Sequence, residues 1–121
     1  MPSSPFVILY VEDNDLVRES FAELLATAGR QVVCAADGAA AREALATQDV
    51  NLLMTDINLP DGSGLDVARE ALLQNPALPV IVCSGHDVSD VARSLGPTAH
   101  PLRKPVDFDE LEALVERLAR E

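Results

Sequence analysis

Tryptophan is absent, tyrosine occurs once and phenylalanine three times. An interior with so few rings has to be built from aliphatic side chains. Positive charge is also scarce: Lys and Arg number 9 against 20 Asp and Glu, a formal charge of −11, and Lys104 is the sole lysine. That balance argues against a nucleic-acid surface and against attraction to anionic lipid. It leaves a basic patch on a partner, a bound cation, or simple solubility. Cysteine appears twice, and Cys34 and Cys83 both sit in apolar runs, so they are expected as inert core thiols in a reducing compartment. No apolar run reaches the length of a membrane span. The first, Phe6–Val11, is too short for a signal segment and is followed directly by acids. The expectation is a cytoplasmic protein with no membrane association. A chain of 121 residues suits one domain able to bury a core without disulfides or structural metals, and no repeat, linker or low-complexity tract divides it.

What the sequence does contain is an alternation of short continuous apolar runs and helical periods. Strands are predicted at Phe6–Val11, Gln31–Ala35, Asn51–Thr55 and Val80–Cys83, with a short piece near Leu102. Because the runs are continuous rather than alternating, they imply strands covered on both faces, as in a parallel sheet. Between them, Val17, Phe21, Leu24, Leu25 and Ala28 keep helical spacing, with Gly29 as the stop. Gly38–Thr47 is alanine-rich with Asp37 as cap. Leu65, Ala68, Ala71 and Leu72 mark a third helix ended before Pro76. Val88, Val91, Ala92 and Leu95 mark a short fourth, and Phe108, Leu111, Leu114, Val115 and Leu118 a fifth, with Asp107 and Glu110 as its capping box. Five strand–helix alternations predict an α/β, doubly wound (βα)5 three-layer sandwich.

In open parallel sheets, sites form at the carboxyl ends of the strands. Glu12 and Asp13 follow the first run, Asp56 the third, Ser84 and Gly85 the fourth, and Arg103, Lys104 and Pro105 the fifth. Asp56 has no basic residue near it in sequence, so its partners must come from other strands. Two unit charges about 5 Å apart at an effective dielectric near 20 repel by roughly 3 kcal/mol. A cluster of three acids is therefore expensive against a domain stability of about 5–15 kcal/mol, and it calls for a cation. A hard divalent ion with oxygen ligands suits such a site, with Lys104 offsetting further charge. A composition so biased to arginine that still places lysine here points to a need for a compact ammonium on a flexible stem.

Taken together, "VEDND" after the first strand, "MTDINLPDGSG" around the third, "VIVCSG" at the fourth and "LRKP" at the fifth resemble the response-regulator receiver domain of two-component signalling. The resemblance runs across nearly the whole chain. It implies a flavodoxin-like parallel five-stranded sheet of order 2-1-3-4-5. It also implies that Asp56 accepts a phosphoryl group from a histidine kinase or a histidine phosphotransfer protein. Asp13, Asp56 and the backbone carbonyl of Asn58 would hold Mg²⁺ (or Mn²⁺), with Glu12 acting through water. Ser84 would be the switch hydroxyl, Lys104 the phosphoryl-contacting lysine, and the Lys104–Pro105 bond cis. Asn58 and His86 occupy the positions that tune dephosphorylation. The sheet order would set Cys34 and Cys83 three strands apart, roughly 14 Å at about 4.8 Å per strand, beyond disulfide reach.

The likeness also has departures. Pro101 stands where receivers carry Tyr or Phe three residues before the lysine, with His100 one place earlier. Ser84 and Lys104 are twenty positions apart, which predicts a trimmed fourth helix. No output domain lies in these 121 residues, and the compact start favours a single-domain regulator, acting on an unnamed downstream effector, over the receiver module of a hybrid histidine kinase. A haloacid-dehalogenase-like phosphatase would want a second Asp where Asn58 stands. A flavodoxin-like cofactor binder would not place "EDND" against a phosphate, and a pseudo-receiver would have lost an acid or the lysine. The expectation is a signalling phosphoacceptor rather than an enzyme, with no direct nucleic-acid partner.

Overall fold

The computed structural model describes residues 5–27 and 29–120. In chain order the elements are β1 (Phe6–Val11), α1 (Asp15–Leu25), β2 (Arg30–Ala35), α2 (Gly38–Thr47), β3 (Leu52–Asp56), β4 (Asn58–Leu59), β5 (Gly62–Ser63), α3 (Gly64–Gln74), β6 (Val80–Ser84), α4 (Ser89–Leu95), β7 (Ala99–Arg103) and α5 (Phe108–Arg120). The main sheet is parallel with order β2-β1-β3-β6-β7. This is the expected 2-1-3-4-5 order once the small antiparallel ribbon β4–β5 is counted separately.

The continuous apolar runs behave as parallel-sheet physics requires. Every residue of β3 and of β6 is buried, because helices cover both faces. One face packs Leu9, Val11, Leu53, Val80 and Val82 against α2 and α3 through Ala41, Ala44, Val67 and Ala68. The other packs Ile8, Tyr10, Met54 and Ile81 against α1 and α5 through Leu25, Leu111, Val115 and Leu118. Tyr10 belongs to this second core, edge-on to Phe21. An Arg30–Glu112 pair, with bonds of 2.7 and 2.6 Å, ties α5 to the start of β2.

Helix starts follow local capping chemistry. Asn14, Asp37, Ser63 and Asp107 accept from the backbone N–H groups of Val17, Ala40, Leu65 and Glu110. Strand β3 ends one residue later than expected, on Asp56 itself, and α4 is indeed short, at seven residues.

Two expectations need correction. Helix α1 stops at Leu25, with Ala26 as its cap, so Gly29 is not its stop. Gly29, at φ 84°, instead turns the chain into β2; Ala28 lies outside the described residues. Cys34 is exposed, whereas Cys83 is buried. Strand β2 is at the sheet edge, with a neighbouring strand on one side only. Both thiols are free and sit on β2 and β6, with β1 and β3 between them.

Strand β7 forms the opposite edge. Val80 N–H bonds to Thr98 O and Lys104 N–H to Ser84 O. Even-numbered backbone groups of β7 therefore face β6, and Pro101 falls on the free side, where a missing N–H costs no ladder bond.

Candidate functional site

The carboxyl ends of β1, β3, β6 and β7 converge on one spot. Glu12 and Asp13 follow β1, and Glu12 N–H bonds to Ala35 O. Asp56 closes β3 opposite Cys83, which sets Ser84, the last residue of β6, one step beyond it. Lys104 comes directly after β7 and is fastened through its own N–H to Ser84 O at 2.7 Å. The cis Lys104–Pro105 bond is present as expected.

Lys104 Nζ lies 2.7 Å from both carboxylate oxygens of Asp56 and 3.2 Å from Glu12 Oε1. Glu12 Oε2 accepts from Asn14 N–H at 3.0 Å. One carboxylate oxygen from each of Glu12, Asp13 and Asp56 lies within 4.8 Å of the others. Three carboxylates against one ammonium leave a residual charge of −2 on hard oxygen donors, which fits a divalent cation such as Mg²⁺. Asp13 is exposed at the mouth, while Glu12 and Asp56 are 2% and 6% accessible.

Glu12, Asp56 and Lys104 line a cavity of about 190 Å³ whose other walls include Tyr10, Val17, Phe21, Met54, Cys83 and Val106. These apolar walls shape the titration of the acids. Burial pushes Asp56 up; Lys104 pulls it down, Glu12 pushes it up again, and the result is a pKa of about 6 against the ordinary 3.8. Burial also works against ionised Glu12, but the Asn14 N–H, a hydrogen bond shared with Asp56 and the Lys104 ammonium hold its carboxyl below the usual glutamate range. Lys104 loses some stabilisation to burial and gains more from Asp56 and Glu12, so its pKa rises. Without a metal, Asp56 is therefore the acid of the pair that takes up a proton first as pH falls. Burial, helped by Asp56, pushes the Cys83 thiol up to about 12, which leaves it inert.

Of the residues singled out from the sequence, Glu12, Asp13, Asp56 and Lys104 are gathered by direct distances. Ser84 is buried beside them, and its Oγ accepts from His86 N–H at 3.2 Å. Asn58 and His86 are exposed. Asn58 sits on the ribbon two residues past Asp56, and its side chain is not part of the charge cluster. The imidazole of His86 forms no hydrogen bond to the cluster among the described residues.

Several supporting residues escaped the sequence reading. Arg18 donates to Glu12 O at 2.8 Å and to Asp15 Oδ1 at 2.6 Å, bracing the loop that carries Asp13; its i, i+3 spacing to Asp15 was the available clue. Thr55, fully buried in an apolar strand, donates its hydroxyl to Asp56 O at 2.9 Å. Gly64 packs so closely on that carbonyl that a Cβ there would lie 1.8 Å from Asp56 O, and its N–H bonds to Ile57 O at 2.7 Å. The glycine in "DGSG" marked the place without giving the reason.

The family model for the response regulator receiver domain matches residues 8–116. The chain belongs to the response regulator receiver domain family. Among curated relatives, this receiver domain is 39% identical over 115 residues to the response regulator protein PmrA of Pseudomonas aeruginosa, covering 93% of the chain and 52% of PmrA. It is 34% identical over 113 residues to the DNA-binding transcriptional regulator NtrC of Escherichia coli K12, covering 92% of the chain and 24% of NtrC. The chain thus spans about half of one relative and a quarter of the other. Among solved structures, a response regulator receiver protein from Pseudomonas putida superposes with a TM-score of 0.83 at 32% identity, covering 97% of this chain and 99% of that one. The receiver assignment, its (βα)5 fold and its place among signalling proteins therefore hold. Within the receiver domain, the clustered acids could hold a metal, and among the described residues no helix is long and apolar enough to cross a membrane.

Proposed function

We propose that this receiver domain takes a phosphoryl group onto Asp56 from a histidine kinase or a histidine phosphotransfer protein, and that the modified domain switches its affinity for a downstream effector. The observation that carries the reading is the Lys104–Asp56 contact at 2.7 Å inside a ring of acids drawn from separate strands. An isolated strand-end acid has no use for that arrangement. A nucleophile that must be held, deprotonated and then neutralised does.

The attacking group is a carboxylate oxygen of Asp56. Its raised pKa keeps it partly protonated in the bare domain, and a cation at Glu12, Asp13 and Asp56, with the Asn58 backbone carbonyl as a further ligand, favours the ionised form. Bound there, Mg²⁺ (or Mn²⁺) supplies charge neutralisation for the phosphoryl oxygens. Lys104 sits where it can contact a phosphoryl oxygen once Asp56 is modified, and Ser84 supplies a hydroxyl beside it. Catalysis on this reading is positioning and electrostatics, followed by spontaneous loss of the acyl phosphate rather than turnover of a phosphate ester. Asn58 stands where a phosphatase would need a second carboxylic acid, which favours the receiver chemistry. A cytoplasmic location and a domain that itself makes no nucleic-acid contact go with this reading.

The experiment is incubation with acetyl phosphate or phosphoramidate and Mg²⁺, read by intact mass. One phosphoryl adduct is expected on the wild type and none on Asp56→Asn. An unmodified wild type, or an Asp56→Asn protein that labels equally, defeats the proposal.

A further inference from the structure

The segment between Asp56 and α3 is fastened to the core by Leu59 and Ile57, but it makes few hydrogen bonds of its own. Its ribbon is two residues on each side, far below what keeps an isolated hairpin ordered in water. Its base is fixed by two backbone bonds, Ile57 N–H to Cys83 O and Gly64 N–H to Ile57 O. Its tip, at Pro60–Asp61, is exposed. The tip is nevertheless fastened at a distance. Asp61 Oδ1 accepts from Gly38 N–H at 2.8 Å and Oδ2 from Ala39 N–H at 3.0 Å, across 23 and 22 residues.

These bonds reach the amino end of α2, which is anchored to the core by buried Ala41 and Ala44. A carboxylate is well matched there, since unpaired N–H groups and the helix dipole both favour negative charge. The Gly38 and Ala39 N–H groups, followed by Arg42, hold the Asp61 carboxyl below its ordinary range. Two further features agree. Position 38 is glycine, and a Cβ there would come within 3.1 Å of Asp61 Oδ1 and 3.0 Å of an Arg42 guanidinium nitrogen. Arg42 in turn bonds Glu70 of α3 at 2.9 and 2.8 Å. The loop tip is therefore held by a bracket between the helix before it and the helix after it. Ordinary capping does not require this arrangement, because Asp37 already caps α2 locally through Ala40 N–H.

We infer that Asp61 is a positioning residue for the phosphoacceptor site: its two-pronged bond to α2 fixes the β4–β5 loop, and thereby the Asn58 backbone three residues away, for cation binding. The inference rests on the receiver reading of Asp56 and Asn58. Displacing a ligand group by a fraction of an ångström costs affinity without removing any ligand. Loss of the latch should therefore act on metal affinity and leave the reacting groups intact.

The test compares the full 121-residue chain as wild type, Asp61→Ala, Asp61→Asn and Asp37→Ala. Mn²⁺ binding is measured by the electron paramagnetic resonance of the free ion, acetyl phosphate labelling is followed across a Mg²⁺ series, and a melting curve is recorded for each protein. Asp61→Ala is expected to weaken Mn²⁺ binding about tenfold and to raise the Mg²⁺ concentration for half-maximal labelling by a similar factor. Its labelling rate at saturating Mg²⁺ should stay within about twofold of wild type. Asp61→Asn, which keeps one acceptor oxygen, should fall between, and it carries the comparison if the alanine variant does not fold. Asp37→Ala removes a cap from the same helix end without touching the loop. It should lower Tm but leave Mn²⁺ affinity within about twofold. Equal affinity in wild type and both Asp61 variants overturns the inference, as does an equal loss in Asp37→Ala and Asp61→Ala, which would reduce Asp61 to a helix cap. A wild type that neither binds Mn²⁺ nor labels defeats the receiver reading itself, an outcome distinct from either of these.

Discussion

Replacing the proposed acceptor with its neutral isostere should make the metal-free domain more stable at neutral pH and leave it nearly unchanged in mild acid. Folding raises the pKa of Asp56 from 3.8 to about 6, so the folded state holds a proton that the unfolded chain gives up. The favourable contribution is fully present below about pH 4 and is lost as pH climbs through about 6. Above that, the folded domain carries an unfavourable carboxylate. About two units at roughly 1.4 kcal/mol each set an upper limit near 3 kcal/mol. Part of the site opens to water, and screening reduces this to about 1–2 kcal/mol. For a chain of this length that corresponds to a Tm gain of about 4–8 °C for Asp56→Asn at pH 7.5. Glu12 runs the other way: its lowered pKa contributes stability at neutral pH that fades as pH falls. Both proteins share that contribution, so it largely cancels in the difference. The assay is a pair of melting curves in EDTA at pH 4.5 and pH 7.5. A Tm difference that does not grow with pH, or an Asp56→Asn protein that is the less stable at pH 7.5, refutes the reasoning. Adding Mg²⁺ at about ten times its Kd should raise the wild type by roughly 1.4 kcal/mol and the variant much less.

Lys104→Met keeps the stem and removes the ammonium, leaving two buried acids without their cation. Urea titration should show a loss of about 2 kcal/mol at pH 7.5 and a smaller one at pH 5, where Asp56 takes up a proton. Gly64→Ala forces a methyl group onto Asp56 O; the cost should be about 2–4 kcal/mol in the same assay, together with slower acetyl phosphate labelling. His86→Ala should change the lifetime of the phosphorylated protein, followed by intact mass after the donor is removed, and an unchanged lifetime removes His86 from the rate-tuning set.

The order of the main sheet came from the likeness to receiver domains; the placement of Asp56 at a strand end and its need for remote partners were legible in the residues themselves. Both follow from a period-and-terminus pattern: an apolar run long enough for a doubly covered strand, then an acid, a hydroxyl or a lysine. Helix α2 was located to the residue because Asp37 and the alanines Ala39–Ala41 leave little else that the segment can be. The errors came where tertiary placement decides. Cys34 reads like core because its neighbours are apolar, but it sits on the outermost strand, which has a neighbouring strand on one side only. Gly29 reads like a helix stop, but the chain left the helix at Ala26 and used the glycine for a later turn. Arg18 binds a backbone carbonyl, and Asp61 binds two backbone N–H groups across more than twenty residues. Backbone partners leave no trace in side-chain composition; the spacing of Arg18 to Asp15 pointed to an ion pair but not to the Glu12 carbonyl, and nothing in the sequence pointed to the bonds of Asp61.

The free side of β7 sets how another protein can approach. Of its three outward positions, Ala99 has its N–H taken by Gly96 O at 3.3 Å, and Pro101 has none to give. Among the described residues of that margin, Arg103 alone retains an outward donor. A visiting strand would find carbonyl acceptors there but hardly a donor, so only part of a ladder can form along this border. Recognition on that flank is steered toward side chains of α4 and α5, whose identities, unlike a backbone ladder, can distinguish one partner from another.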